Sequence, residues 1–163
     1  MRRGLLAGVT AILAVLLSGH PVLADDSTIG TGTITRLSVV LLSQTVDEGG
    51  NTIQHRTVTR AISGFLNGTV VDDDTRVITP AGDVSQTGLG TCTCAVASQT
   101  GTLLWSYEAT VVPIGGGLFR FAGNFEIVGG TDGLARLQGE AGFVAEGTPG
   151  VAVATYSGEF GFE

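Results

Sequence analysis

Residues 119–143 read FRFAGNFEIVGGTDGLARLQGEAGF, and their spacing decides the fold class. Phe119, Phe121, Phe125 and Ile127 lie two residues apart or a multiple of two, with Arg120, Asn124 and Glu126 between them. That is the period of a strand with one apolar and one wet face. Gly129, Gly130 and Gly133, with Thr131 and Asp132, then interrupt the pattern with residues that tolerate positive φ or bond their own turn, which predicts a hairpin loop. Residues 134–144 resume as strand. Gly139 and Gly142 sit inside it, where a missing side chain marks a bulge, a bend or a closely approaching backbone. A strongly bent sheet follows.

The same alternation recurs outward in both directions. In 28–42, Ile34, Arg36, Ser38, Val40 and Leu42 share one face and Leu37, Val39 and Leu41 the other, the latter being the more uniformly apolar. In 52–62, Arg56, Val58, Arg60 and Ile62 fall together. In 103–112, Trp105, Tyr107, Ala109 and Val111 do so, and in 151–162 Ala152, Ala154, Tyr156, Phe160 and Phe162. Outside the first residues no stretch keeps apolar spacings of three and four, so no helix longer than two turns is expected. The 26 glycines are interleaved with Val, Ile, Phe and Thr and read as turn and bend positions of an all-β domain.

A resemblance supports the same class. Phe-x-Gly-x-Phe-x-Ile-Val-Gly-Gly-Thr-x-Gly over 121–133, Leu-x-Gly-x-Gly-Phe over 137–143 and Thr155-Tyr156-Ser157-Gly158 together resemble small bacterial proteins with an allene oxide cyclase-like barrel, among them a domain family of unknown function. Ser63-Gly64-Phe65-Leu66-Asn67-Gly68 and Thr100-Gly101-Thr102-Leu103 extend the likeness upstream, although the frequent Gly-Thr-Gly is Gly-Thr-Asp-Gly here. The resemblance implies an all-β fold, a single antiparallel β-barrel of about eight strands of the allene oxide cyclase, dirigent and calycin kind. It implies no shared catalytic residues.

Residues 1–24 stand apart. Arg2 and Arg3 precede a nearly all-apolar run over 5–17, and Pro21-Val22-Leu23-Ala24 ends in small residues before Asp25, the layout of a secretory signal peptide. The apolar run is shorter than the roughly 20 residues a spanning helix needs. One barrel domain, 25–163, is expected to remain, secreted or periplasmic, with no membrane attachment after cleavage. Its formal charge moves from −7 to −9 once Arg2 and Arg3 are gone, and the chain has no lysine. Nucleic acid and anionic membranes need basic clusters to offset phosphate charge and are not expected as partners.

Motifs that would fix a reaction are missing: no nucleophile elbow, zincin histidine pair, phosphate loop or dinucleotide fingerprint occurs. No cofactor and no metal is expected. Asp72-Asp73-Asp74 lacks the alternation of a calcium loop and reads as a solvated turn. Cys92 and Cys94 belong to a chain read as exported, which favours a disulfide, but at i and i+2 on an extended strand their Cα atoms approach the roughly 7 Å limit for bridging. A local bridge in a bent strand, a reduced or intermolecular pair, and a soft-metal site all stay open. Glu108 and Glu126 lie mid-strand and read as solvent-facing.

Two functions of different class fit. One is a non-catalytic protein that holds a small apolar ligand, or a partner protein, in or on the barrel. The other is a cofactor-independent cyclase or isomerase that positions a hydrophobic substrate in the cavity. A filled barrel with no ligand is the third reading. If a ligand binds, Trp105, Tyr107, Phe121, Phe125, Tyr156 and Phe160 are the expected wall, with Arg60 and Glu108 as the polar entries most exposed to a one-residue slip of register. Weak self-association is also expected, because Val39/Val40 and Val111/Val112 offer apolar groups on both faces of their strands.

Overall fold

Alternation becomes a closed sheet. The computed structural model describes residues 27–148 and 153–163, and the leader-like residues 1–24 lie outside them. Eight strands follow in order: β1 (Thr28–Val46), β2 (Thr52–Gly64), β3 (Asn67–Ile78), β4 (Val84–Val96), β5 (Gln99–Gly115), β6 (Leu118–Gly130), β7 (Leu137–Gly147) and β8 (Val153–Phe162). Each pairs antiparallel with the next, and β8 pairs back onto β1 from Thr28↔Phe160 to Thr35↔Val153, closing the sheet into a ring. Among the described residues the single helical element is a 3-10 turn, Asp132–Leu134, placed in the expected loop.

Because successive side chains point to opposite faces, every second residue of each strand fills the ring. The inward set includes Ile62, Val70, Cys92, Leu103, Trp105, Phe125, Ile127, Ala141 and Phe160, all buried. The outward set carries the acidic residues Asp73, Glu108, Glu126, Glu140 and Glu159, all exposed. β1 is the exception to simple alternation. Bulges between Arg36 and Ser38 and between Leu41 and Ser43 shift its register against β2. A bulge exchanges faces, so Arg36 and Val39 both look into the ring. The uniform Leu37/Val39/Leu41 face expected from the sequence is thereby broken.

The two ends of the ring differ. Connections β2–β3, β4–β5 and β6–β7 share one end, which is plugged by Leu66, Leu103, Leu134, Leu137 and Phe160, each at most 2% exposed. Phe65 stacks on Phe160 with ring centroids 4.8 Å apart, and the 3-10 turn is tied down by Thr131 N donating to Thr102 O at 2.8 Å. At the other end β1 and β5 run past the body of the ring and leave Leu37, Val39, Val40, Leu41, Leu42, Val46, Val112 and Ile114 exposed. The β5–β6 hairpin there turns through Gly115, Gly116 and Gly117, with φ of +94°, +61° and +76°. Three successive left-handed residues are a conformation only glycine adopts without strain.

Candidate functional site

The Asp72–Asp74 run is strand, not turn: it lies inside β3, and the solvated-turn reading is corrected. The two-residue connection Phe65-Leu66 sets the β2–β3 register so that Asp74 stands opposite Arg56 and Asp72 opposite Val58. Alternation then sends Asp73 outward and drives Asp72 and Asp74 into the ring, 0% and 3% exposed. A buried carboxylate is costly unless it is paired and hydrogen-bonded. The neighbouring strands supply both.

Two rows of residues, each running across the sheet, do so in the same way. The first is Arg56, Asp74, Gly88, Tyr107 and the second Val58, Asp72, Gly90, Trp105, each member directly opposite the next on β2, β3, β4 and β5. Gly88 and Gly90 have no side chains, so the rings of Tyr107 and Trp105 reach across β4 to the carboxylates on β3. A Cβ on Gly88 would lie 2.6 Å from Tyr107 Cε1, and one on Gly90 would fall on the indole nitrogen and on Asp72 Oδ1. Trp105 Nε1 donates to Asp72 Oδ1 at 2.9 Å, and the Tyr107 hydroxyl donates to Asp74 Oδ2.

Arginines complete the network. Arg56 donates through Nε and Nη2 to Asp74 Oδ1 at 2.8 and 2.5 Å. Arg60 pairs with Asp72 Oδ2, donates to the Tyr107 oxygen at 3.3 Å and holds its guanidinium 5.0 Å from the Tyr107 ring centroid. Burial pushes the Tyr107 phenol up to about 12, with the hydrogen bond to Asp74 adding to the rise and Arg60 opposing it. Burial and the neighbouring charge of Arg56 push Arg76 below the ordinary arginine value, partly offset by Asp74. Its Nε is buried without a hydrogen-bond partner.

Above this network, toward the open end, lies a cavity of about 280 Å³. Trp105, Tyr107, Phe119, Phe121, Phe125 and Phe143 form its aromatic side, and Arg36, Arg56, Arg60, Arg76 and Gln86 its polar side. Of the residues expected as a wall, Trp105, Tyr107, Phe121 and Phe125 line it. Tyr156 and Phe160 do not. They pack deeper, Phe160 in the closed end and Tyr156 with its hydroxyl accepting from Leu66 N at 2.9 Å. Arg60 lines the cavity. Glu108 is on the outer face, opposite Asn124, and takes no part in it. Cys92 and Cys94 are bonded to each other with Cα atoms 5.4 Å apart, closer than an extended strand would place them. Cys94 stands between Gly68 of β3 and Gly101 of β5, which leaves room for the distortion.

Asp72, Asp74, Arg56 and Arg76 were absent from the expected site. Their signal was three short repeats read one at a time: Asp-x-Asp over 72–74, Gly-x-Gly over 88–90 and Trp-x-Tyr over 105–107. Only the register lines them up.

The chain shares its fold with a DUF3224 protein. The crystal structure of that protein, from Shewanella oneidensis MR-1 and of unknown function, matches with a TM-score of 0.66 over 85% of this chain and 99% of the other, at 15% sequence identity. At that identity the likeness shows the all-β fold alone. No family model matches this sequence, and no curated protein does. The finer resemblance to allene oxide cyclase-like barrels is carried no further by the match.

Proposed function

We propose that this protein binds a small, largely apolar molecule inside the ring, entering through the end opposite the Leu66/Leu134 plug. The observation that carries this reading is the cavity itself. It is closed below and walled by six aromatic rings, and its volume of about 280 Å³ sits at the lower edge of the roughly 300–1,000 Å³ typical of ligand sites. Eight-stranded closed sheets have an interior of about the size that side chains fill or one small ligand occupies. The cavity favours the ligand reading over a filled barrel. Residues 1–24 support export, which would place binding outside the cytoplasm.

The resemblance to allene oxide cyclase-like barrels keeps a cyclase or isomerase as a second reading, but the polar groups support it less. The Tyr107 proton already goes to Asp74, and a phenol pushed up to about 12 is poorly matched to proton transfer near neutral pH.

The experiment follows the emission of Trp105, the one tryptophan, while a panel of small apolar molecules, neutral and ionised, is titrated, with Trp105→Phe as the control. Saturable change with at least one member is expected. No saturable change with any of them would leave the filled-ring reading standing.

A further inference from the structure

Arginine is concentrated on one wall of the ring. Residues 25–163 contain six arginines, and four of them, Arg36, Arg56, Arg60 and Arg76, line one cavity of an otherwise acidic protein. Only two carboxylates stand among them in the interior, and both are used up. Asp74 Oδ1 accepts from Arg56 and Oδ2 from Tyr107, while Asp72 Oδ1 accepts from Trp105 and Oδ2 pairs with Arg60. Glu146, at the rim, is held by Arg120 at 2.7 Å. Arg76 enters none of the three ion pairs, and its buried Nε donates to nothing. Its cross-strand neighbour on β4 is Gln86, a buried amide on the same wall.

An arginine keeps its charge under these conditions. A half-buried guanidinium that enters no ion pair and whose buried Nε donates to nothing is therefore an incomplete arrangement, and the chemistry that completes it is a planar or forked oxoanion. We propose that the ligand is a monoanion, with a compact apolar body against the Trp105/Phe121/Phe125 side and a carboxylate or sulfonate head group on Arg76. This rests on the reading of the cavity as a ligand site. A basic patch for a polymer is a different thing: these arginines line a cavity of about 280 Å³, closed at one end, and not an outer face along which a nucleic-acid strand could lie. The acidic outer face opposes anions at long range, but that field is screened within about 8 Å at physiological salt, whereas contact with Arg76 is made inside the cavity.

The test uses four probes of one shape and different charge: 2-naphthoate, 2-naphthalenesulfonate, neutral 2-naphthalenemethanol and cationic 2-naphthylmethylamine, titrated by calorimetry at neutral pH. At least one anion is expected to bind tenfold or more tighter than the alcohol, with the amine weakest; which anion leads identifies the head group. In Arg76→Met the preference for the anion is expected to fall to within about threefold, and Arg76→Lys to restore part of it. A melting temperature of Arg76→Met equal to or above that of the parent is expected, since a half-buried charge outside every ion pair is removed. Should the melting temperature fall sharply or the variant fail to fold, the probe series on the unmodified protein decides alone. Equal affinity for anion and alcohol, or preference for the amine, would overturn the head-group assignment and leave the cavity reading intact. Binding of none of the four would remove both.

Discussion

Tyr107 and Asp74 belong to strands that are not neighbours, yet the phenol donates its proton to the carboxylate across the bare backbone of Gly88. The same device, one row deeper, joins Trp105 to Asp72 over Gly90. The glycines of β4 are thus the condition for the polar network.

A methyl group at Gly90 is the direct check. Gly90→Ala puts a Cβ on the indole nitrogen and on Asp72 Oδ1, both deep in the ring, so Trp105 must move and its hydrogen bond is lost. The expected cost is about 2–4 kcal/mol from overpacking and an unsatisfied buried carboxylate oxygen. Gly129→Ala, whose Cβ would meet nothing within 4 Å, is expected to stay within about 0.5 kcal/mol of the parent. Urea unfolding followed by Trp105 emission separates the two, and equal midpoints would show that β4 relaxes around the added methyl.

High pH tests the phenol. Tyr107 is pushed up to about 12, against an ordinary value near 10 in the unfolded chain, and burial also raises Tyr156. Between these values the unfolded state gives up the Tyr107 proton first. Its contribution, of order 2–3 kcal/mol, is complete below pH about 10 and is lost as pH rises toward 12. Tyrosinate absorbance near 295 nm is expected to stay low in the folded protein at pH 10.5, and stability measured in urea to fall between pH 10 and 12. Half-ionisation of both tyrosines at pH 10 with the fold intact would contradict the buried network.

Period two made the strands legible, and so the ring: the 119–127 pattern, the Gly/Thr/Asp loop behind it and the closing strand all fall where alternation puts them. The site was less so. Reading three aspartates as a turn is sound for an isolated run, because nothing local pays for burying Asp72 and Asp74. What compensates them sits on β2, in the alternating Arg56-Val58-Arg60-Ile62 face, and on β5, across two glycines. Arg36 was misplaced relative to Val39 for another reason, since a bulge leaves no mark in composition. Non-local register, not residue type, carried the missing information.

The buried pair of Arg56 and Asp74 leads to a double-mutant cycle. Asp74→Ala leaves Arg56 uncompensated, 7% exposed, and takes the acceptor from Tyr107. Breaking a buried pair by removing one partner costs about 3–5 kcal/mol. Replacing both, in Arg56→Met with Asp74→Leu, removes two desolvated charges together and is expected to recover at least half of that loss. A double variant as unstable as Asp74→Ala would mean that the Tyr107 hydrogen bond, and not the ion pair, dominates.

The Cys92–Cys94 bond closes almost no chain, and its worth should be correspondingly small. With three residues in the loop, the loop-entropy relation gives about 1.6 kcal/mol, near the bottom of the usual range. Both residues are within the core, 0% and 4% exposed, with Cys92 opposite Val70 on one side and Leu103 on the other. Thiolate attack requires access to sulfur. Dithiothreitol followed by alkylation and mass measurement is therefore expected to label neither cysteine in the native protein and both in denaturant. Cys92→Ala with Cys94→Ala is expected to fold, losing the bridge's small contribution plus the packing of two sulfur atoms, about 2–3 kcal/mol in all. Rapid labelling under native conditions would show that β4 opens locally far more often than a strand in the middle of a closed sheet should.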